Sequence, residues 1–381
     1  MMKYCTNCLD PSTRPKISFD KNGLCSSCQQ QKKNKSEADY VYKEKVFREI
    51  LKKFKNNKNS HFDCIIGVSG GKDSTRQALW LRDKFKLNPL LVCCTYPPEQ
   101  LTVKGAENLS NLIELGFDTI VSAPSPQIWK KVLRAGFYKG NYLIGPELAL
   151  YSSLPQIAIK YKINLVFWGA SPAETSNESK TTIKGREWDG NNLRYSNTLK
   201  NCDTGWIKKI AKENNRIIPY EFPSVQEFKK NNIQIVYLGW FWKTWSHSFN
   251  AKSAALNGLS IREDTPENTG DLYGAMALDE DWVIINQMIK YYKFGFGRAT
   301  DYLNLDIRNN LISRERAIKI VEKYDGVCSE KYINSFCDYL EISKEEFWKV
   351  VSNFVNKDIF TINNKLSGNK YIPKFKVGKG L

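Results

Sequence analysis

Histidine is almost missing from this chain: 381 residues hold two, His61 and His247. With so few, the usual base for an activated cysteine or serine is hard to supply. No G-x-C-x-G elbow is present, and no cysteine directly follows the initiator methionine. A self-contained glutaminase is therefore not visible. No apolar run reaches 18 residues, so no segment reads as a membrane-spanning helix. The opening stretch MMKYCTNCLD lacks an apolar signal segment, and a cytoplasmic location is expected. No repeat recurs at a fixed period, which sets a repeat array aside.

Acidic residues are the minority, 40 Asp and Glu against 57 Lys and Arg, for a net charge of +17. The excess is uneven. Residues 1–60 hold fourteen basic and six acidic residues, and residues 357–381 hold six lysines against one aspartate. Such a balance favours an anionic partner: nucleic acid, nucleotide or acidic sugar. A solvated, lysine-rich surface explains it equally well, because the lysines form no continuous block.

Cysteine, by contrast, is plentiful. In a reducing compartment the ten cysteines are not expected to pair. Four of them have a spacing with a chemical meaning. YCTNCLDPSTRPKISFDKNGLCSSC reads C-x₂-C, sixteen residues, C-x₂-C. That is zinc-ribbon spacing, two tight knuckles converging on one tetrahedral site. Cys5, Cys8, Cys25 and Cys28 are the predicted ligands of a structural Zn²⁺. Four thiolates close the site to substrate and leave it a charge of −2, which Lys3, Arg14 and Lys16 are placed to offset. Four unlinked thiols are the plainer reading, and an iron–sulfur cluster is a weaker rival.

The length allows two or three domains. Residues 1–35 read as the zinc-ribbon-like module. Residues 36–60 read as a linker helix: SEADYVYKEKVFREILKKFK has apolar residues at helical spacing, and NNKNSH follows as a linker. From residue 61 to 250, short apolar strands alternate with helices. FDCIIGV, PLLVCCT, FDTIVSA, INLVFWG and IQIVYLG are the strands. STRQALWLRDKF, VKGAENLSNLIEL, SPQIWKKVLRAGF and GPELALYSSLPQIAIKY are the helices. The expected fold is α/β, a parallel sheet with helices on both faces. Residues 171–232 are polar and irregular, long enough to suggest a lid or a substrate-binding insertion. Residues 251–381 read as a mainly helical region.

The stretch IIGVSGGKDSTRQAL, residues 65–79, sits where the first strand meets the first helix. Glycines there let the backbone close on an anion, and the first helical amides are unpaired donors. The motif is not a Walker A loop, because Asp73 follows Lys72 where a serine or threonine would stand. An aspartate beside phosphate calls for a cation between them, so Mg²⁺ near Asp73 is expected. Ser69 and Ser74 can donate to phosphate oxygens.

SGGKDS after an apolar strand resembles the pyrophosphate-loop ATPases, the N-type ATP pyrophosphatases, whose fold is Rossmann-like and of the adenine nucleotide alpha hydrolase kind. The resemblance implies ATP cleaved between its α and β phosphates and AMP transferred to a carbonyl-type oxygen, which a nitrogen or sulfur nucleophile then displaces. It implies a nucleotide held by Ser69, Gly70, Gly71, Lys72, Asp73 and Ser74, with adenine near Cys94, Thr95 and Tyr96, and Gly169 closing the site at the end of the fourth strand. For the adjacent Cys93 and Cys94, strand packing is the plainer role for at least one.

The cysteine module, then SGGKDS, then KYYKFGFGRATDYLNLDIRNNLISRERAIKIVEKYDG, in that order, is similar to the N-acetyl sugar amidotransferases of bacterial glycan synthesis. The similarity covers almost the whole chain. It implies a synthetase subunit that turns the acetamido group of an acidic or nucleotide-linked sugar, such as a pseudaminic-acid-type sugar, into an acetamidino group. Ammonia would come from a partner glutaminase. Lys72, Asp73 and Arg298 are the candidate catalytic residues, Arg298 and Asp301 orienting substrate or phosphate; a helix-end ion pair is the bland alternative for these two. The chain departs from the family pattern at FWGASPAETSN, residues 167–177, which bears on the identity of the sugar. The aromatic run YLGWFWKTWSHSF, residues 237–249, could stack on a sugar or base, though core packing is the commoner use, and His247 reads as structural. A tRNA-thiolating enzyme is the competing reading, but it would call for catalytic cysteines, and here Cys202 stands alone with Cys328 and Cys337 nine apart. Nucleic acid is thus not the expected partner. A nucleotide-sensing scaffold is the third reading.

Overall fold

Short β-branched runs become buried strands because both of their faces find apolar cover. In the computed structural model these are β1 (Cys64–Gly67), β2 (Pro89–Cys94), β3 (Thr119–Ser122), β4 (Leu165–Trp168) and β5 (Gln234–Tyr237). The structure describes residues 2–33, 37–54, 60–176, 178–212, 214–243, 245–363 and 370–381. All five strands are parallel, in the order β3-β2-β1-β4-β5. Register is fixed by alternation: Ile65 lies opposite Leu90 on one side and Val166 on the other.

The helices are α1 (Ser26–Lys33), α2 (Glu37–Phe54), α3 (Lys72–Phe85), α4 (Val103–Glu114), α5 (Pro126–Tyr138) and α6 (Ile144–Lys160). Thr102 caps α4 by accepting from the Gly105 amide, and Pro126 opens α5, where its missing N–H costs nothing. One sheet face, with Ile65, Val92, Cys94, Val166 and Ile235, packs on α5 and α6. The other, with Cys64, Ile66, Leu91, Cys93 and Phe167, packs on α2, α3 and α4. Cys93 and Cys94 thus face opposite ways, as adjacent strand residues must.

The helix anticipated over 36–55 is α2, and it is part of the core. Phe47 is fully buried, with ring centroids 4.7 Å from Phe85, 4.9 Å from Phe241 and 5.2 Å from Trp80. Of the linker NNKNSH, Ser60 and His61 alone fall within the described residues.

Residues 171–232 were expected to form a lid or insertion. They fold as short helical turns against α5 and α6, with Leu193, Leu199, Ile207, Ile217 and Tyr220 each no more than 1% exposed. Gln156 of α6 donates to the carbonyls of Ile218 (2.7 Å) and Glu221 (2.6 Å). The apolar residues of this stretch lie singly among polar ones, which hid their packing role from periodicity. Asn177 and Glu213 lie outside the described residues.

The C-terminal region is mainly helical, with helices Val283–Phe294, Arg298–Arg308, Arg314–Tyr324, Glu330–Leu340 and Lys344–Ser352, then a hairpin of Phe360–Ile362 with Tyr371–Pro373. It docks on α5 through aromatics: Phe137 stacks on Phe347 at 5.3 Å and meets Phe336 edge-on at 5.2 Å. Among the described residues, no helix is long and apolar enough to cross a membrane.

If α2 is core rather than linker, Phe47→Ala should cost about 3–5 kcal/mol, the range for truncating a buried aromatic. A denaturant titration measures it; a loss under about 1 kcal/mol would return α2 to a surface role.

Candidate functional site

The strand order reverses beside β1: β2 and β3 lie to one side, β4 and β5 to the other. In open parallel sheets the crevice at such a switch point, at the carboxyl ends of the strands, receives ligands. A cavity of about 480 Å³ occupies that position. Gly67 at the end of β1 and Trp168 with Gly169 at the end of β4 form its floor.

Ser69, Gly71, Lys72, Asp73 and Ser74 line the cavity at the start of α3. Gly70 makes the turn. Its φ is +77°, and a Cβ there would meet the backbone of Asn108 and Leu109 in α4 at 2.8 Å, so both the left-handed conformation and the close approach require glycine. Lys72 is 2% exposed; its ammonium lies 2.9 Å from Asp73 and also contacts the Met276 sulfur. Asn250 donates to the other oxygen of Asp73 at 2.6 Å, and Arg76 in turn donates to Asn250. Burial alone would raise the Asp73 pKa, but Lys72, His247 and the Asn250 hydrogen bond hold it below the usual carboxylate range. A carboxylate charged and lining the cavity is what a phosphate-bound Mg²⁺ needs from protein. The Ser74 hydroxyl turns inward, donating to the Gly71 carbonyl at 3.0 Å.

Gly169 is on the wall; a Cβ there would sit 3.0 Å from the Trp245 ring. Cys94 is on the wall too, whereas Thr95 is not among the lining residues: its amide bonds Ser122 at 3.0 Å and its hydroxyl is turned to the Tyr96 carbonyl. Burial pushes the Cys94 thiol well up. Most of the aromatic run at 237–249 is core, with Tyr237, Trp240, Phe241 and Trp242 buried, while Trp245 and His247 reach the cavity. Thr244 of that run lies outside the described residues. Burial, with Lys72 nearby, lowers the His247 pKa to about 4, so the imidazole is neutral near pH 7.

The far wall comes from the C-terminal region: Ala275, Met276, Ala277, Gln287, Arg298, Asp301, Tyr302 and Leu305. The paired reading of Arg298 with Asp301 is not what the structure has. Asp301 accepts from Arg14 and, at 2.5 Å, from Lys290. Burial would raise its pKa, but Lys290 and Arg14 hold it well below the usual carboxylate range. Arg298 instead donates to the Tyr302 hydroxyl at 3.4 Å.

The cysteine module lies behind this wall. Cys5, Cys8, Cys25 and Cys28 are all buried, and their sulfurs lie within 4.8 Å of one another. The Cys5–Cys28 and Cys8–Cys25 sulfur separations are 3.9 and 3.7 Å. A tetrahedron with Zn–S bonds of about 2.3 Å has edges of about 3.8 Å, so the four residues fit a metal of that kind. Amides of Asn7 and Cys25 donate to Cys5, and the Asn7 side chain donates to Cys28. The cation against the sulfurs is Arg308, 3.6 Å from Cys8 and 4.0 Å from Cys25, rather than Lys3, Arg14 or Lys16. Arg308 also pairs with buried Asp10 at 2.6 Å. Arg14 bridges Asp10 to Asp301. One helix therefore serves both sites. At about 100° per residue, Arg298, Tyr302 and Leu305 fall within about 60° on the cavity face, Asn304 and Arg308 within about 40° on the module face, and Asp301 on the seam.

Sequence reasoning did not assign Tyr302, Gln287, Met276 or Arg308. Tyr302 stands four residues after Arg298, a helical spacing that could have found it. Met276 and Arg308 carried no local signal.

Residues 267–375 match the family model described as LPS biosynthesis protein WbpG-like, C-terminal domain. Those residues, under a third of the chain, resemble that C-terminal domain. The helix that forms the far wall and abuts the thiols belongs to that WbpG-like domain. The chain is also similar to an uncharacterized protein of Methanocaldococcus jannaschii, 31% identical over 109 residues, 28% of this chain and 38% of that protein. It is similar to the 7-cyano-7-deazaguanine synthase of Helicobacter pylori, 30% identical over 92 residues, 24% of this chain and 39% of that enzyme. The matched stretches thus span well under half of either relative. A solved structure, the U34-tRNA thiolase NcsA from Methanococcus maripaludis with its 4Fe–4S cluster, aligns over 82% of this chain and 88% of its own at 12% identity and a TM-score of 0.30.

Gly70→Ala should lower affinity for Mg·ATP at least about tenfold, since a left-handed non-glycine costs roughly 1–2 kcal/mol before any clash; titration calorimetry reads it, and unchanged affinity would move the nucleotide elsewhere. Arg308→Met should cost about 3 kcal/mol by weakening a buried charge network, and in protein loaded with zinc should speed its loss to a chromophoric chelator. Zinc held as firmly as in the parent would remove Arg308 from the metal's surroundings.

Proposed function

We propose that this protein is an ATP-dependent amidotransferase synthetase subunit that converts the N-acetyl group of an acidic bacterial sugar to an acetamidino group. The observation that carries the reading is one cavity lined by two unlike sets of residues: Ser69, Gly71, Lys72, Asp73 and Ser74 of the glycine loop, and Arg298 and Tyr302 from the region that matches the WbpG-like model. A nucleotide and a second, polar reactant are what such a cavity suits.

An amide carbon is a poor electrophile because nitrogen donates into the carbonyl. In the proposed reaction the amide oxygen attacks the α-phosphorus of ATP, pyrophosphate leaves, and the oxygen becomes part of an AMP leaving group. Ammonia then adds to the carbon, the C–O bond breaks, AMP departs with the former amide oxygen, and loss of a proton leaves the amidine. The loop amides from Gly70 onward and Lys72 would hold the phosphates and offset charge on the departing pyrophosphate. Asp73 would hold Mg²⁺, which when bound neutralises phosphate charge. Lys72 and Asp73 are so close that each fixes the other. Zn²⁺ in the four-cysteine module would be structural. Ammonia would arrive from a partner glutaminase, since the sequence carries no glutaminase elbow of its own. Cys202, Cys328 and Cys337 are absent from the cavity lining, and burial raises the thiol pKa of Cys94, the cysteine that does line it, which weighs against thiolation chemistry.

Isotope transfer tests the reading. With ¹⁸O in the acetamido group of an acidic N-acetyl sugar, plus ATP, Mg²⁺ and ammonium, mass spectrometry should find the label in AMP and an NH in place of O in the sugar. Lys72→Met should cut the rate by about 10²–10³-fold, the usual loss for a transition-state donor. Release of ADP, or label that stays in the sugar, would defeat the proposal.

A further inference from the structure

We infer that the wall opposite the pyrophosphate loop is an acceptor subsite in which the Arg298 guanidinium pairs with a carboxylate of the substrate. The inference rests on the amidotransfer reading and adds to it the group by which the acceptor is recognised.

Arg298 is 8% exposed and lines the cavity. Its only hydrogen bond among the described residues is the long one to Tyr302, 3.4 Å, and no carboxylate there forms an ion pair with it. The other cations around the site behave differently. Lys72 has Asp73, Lys290 and Arg14 have Asp301, Arg262 has Asp281, and Arg308 has Asp10. Desolvating a guanidinium is costly unless an anion answers it. Within hydrogen-bond reach the fold supplies only a neutral phenol, itself held by donation to Asp271 at 3.2 Å. Asp271 and Glu280 act on Arg298 through space without pairing with it, and a direct partner for the guanidinium is left to the ligand.

Four further polar atoms of cavity-lining residues are buried with no hydrogen-bond partner: the amide oxygens of Gln77 and Gln287, Nε1 of Trp245 and Nδ1 of His247; of these residues Gln287 shares the C-terminal region with Arg298. Phosphate is not the best match for this wall, because the triphosphate end already has the loop amides, Ser69 and Lys72 at the start of α3. A carboxylate suits Arg298, since the guanidinium fork matches its two oxygens. Gln287 can accept from a sugar hydroxyl or from the acetamido N–H. The combination of one carboxylate with hydroxyl and amide donors describes an N-acetylated sugar acid.

The test is titration calorimetry with Mg²⁺ and α,β-methylene-ATP present. The probes are N-acetylneuraminic acid beside its methyl ester, and N-acetylgalactosaminuronic acid beside N-acetylgalactosamine. Wild-type protein should bind at least one acid about tenfold or more tightly than its neutral counterpart. R298M should erase that preference and R298K keep part of it. Both should bind the nucleotide within about twofold of wild type, which also reports that they are folded, while K72M should lose nucleotide binding. No acid preference in the wild type, a preference that survives in R298M, or nucleotide affinity lost in R298M as in K72M would each overturn the assignment. If the acids bind through Arg298 but no ¹⁸O reaches AMP, the subsite stands and the amidotransfer reading falls.

Discussion

A buried ion network organises this molecule. Asp10 is fully buried and takes Arg14 on one oxygen and Arg308 on the other. Arg14 continues to Asp301, and Lys290 closes the far end. Each charge here would be expensive alone, so the pairs specify an arrangement more than they add stability. The arrangement brings residues from positions 10, 14, 290, 301 and 308 into one connected set. The cysteine module, the C-terminal helices and the cavity wall are thereby made a single unit. Asn304 adds to the same seam, accepting from the Leu9 amide and donating to Asp10.

That unit explains why the four-cysteine cluster lies so near the cavity. Four buried thiolates around a divalent ion leave negative charge that must be balanced. Arg308 does this from the helix whose adjoining face carries Arg298 and Tyr302. A change at the sulfurs would therefore be felt at the cavity through a rigid element one helix thick, without any sulfur touching substrate. The metal module acts as the buttress of a wall.

The sheet and the loop were legible because local pattern and tertiary context agree there. Four- to six-residue apolar strands alternating with helices can form little except a parallel sheet, and SGGKDS falls at the one strand–helix turn beside the switch point. The four thiols were legible from spacing alone. What stayed hidden was everything set by distant charge. Nothing near Arg308 in sequence points to cysteines about 280–300 residues away. Asp301 read as a partner for Arg298 because they share a turn, yet Arg14 and Lys290 claim it in space. At the end of the second strand it is Cys94 that lines the cavity, which the sequence pattern alone could not choose from its neighbours. The packing of 171–232 was hidden for another reason: isolated apolar residues give no period, so their burial could not be seen.

The two walls also resolve an electrostatic difficulty. ATP and an acidic acceptor repel each other, and within about 4 Å in a partly desolvated cavity two unit charges interact by roughly 4 kcal/mol at an effective dielectric of about 20. Bringing an amide oxygen to the α-phosphorus requires such proximity. A single cation between the reactants would draw both acidic ends together, away from the reacting atoms. Lys72 and Arg298 line the same cavity from different elements, α3 and the helix Arg298–Arg308. Each can hold an anionic end outward, leaving the neutral acetamido group as the part of the acceptor that faces the nucleotide. In that arrangement the charge on the acceptor becomes a handle rather than an obstacle. On the proposed reading the loop would supply the adenylyl transfer, while the residues around Arg298 would select the acceptor.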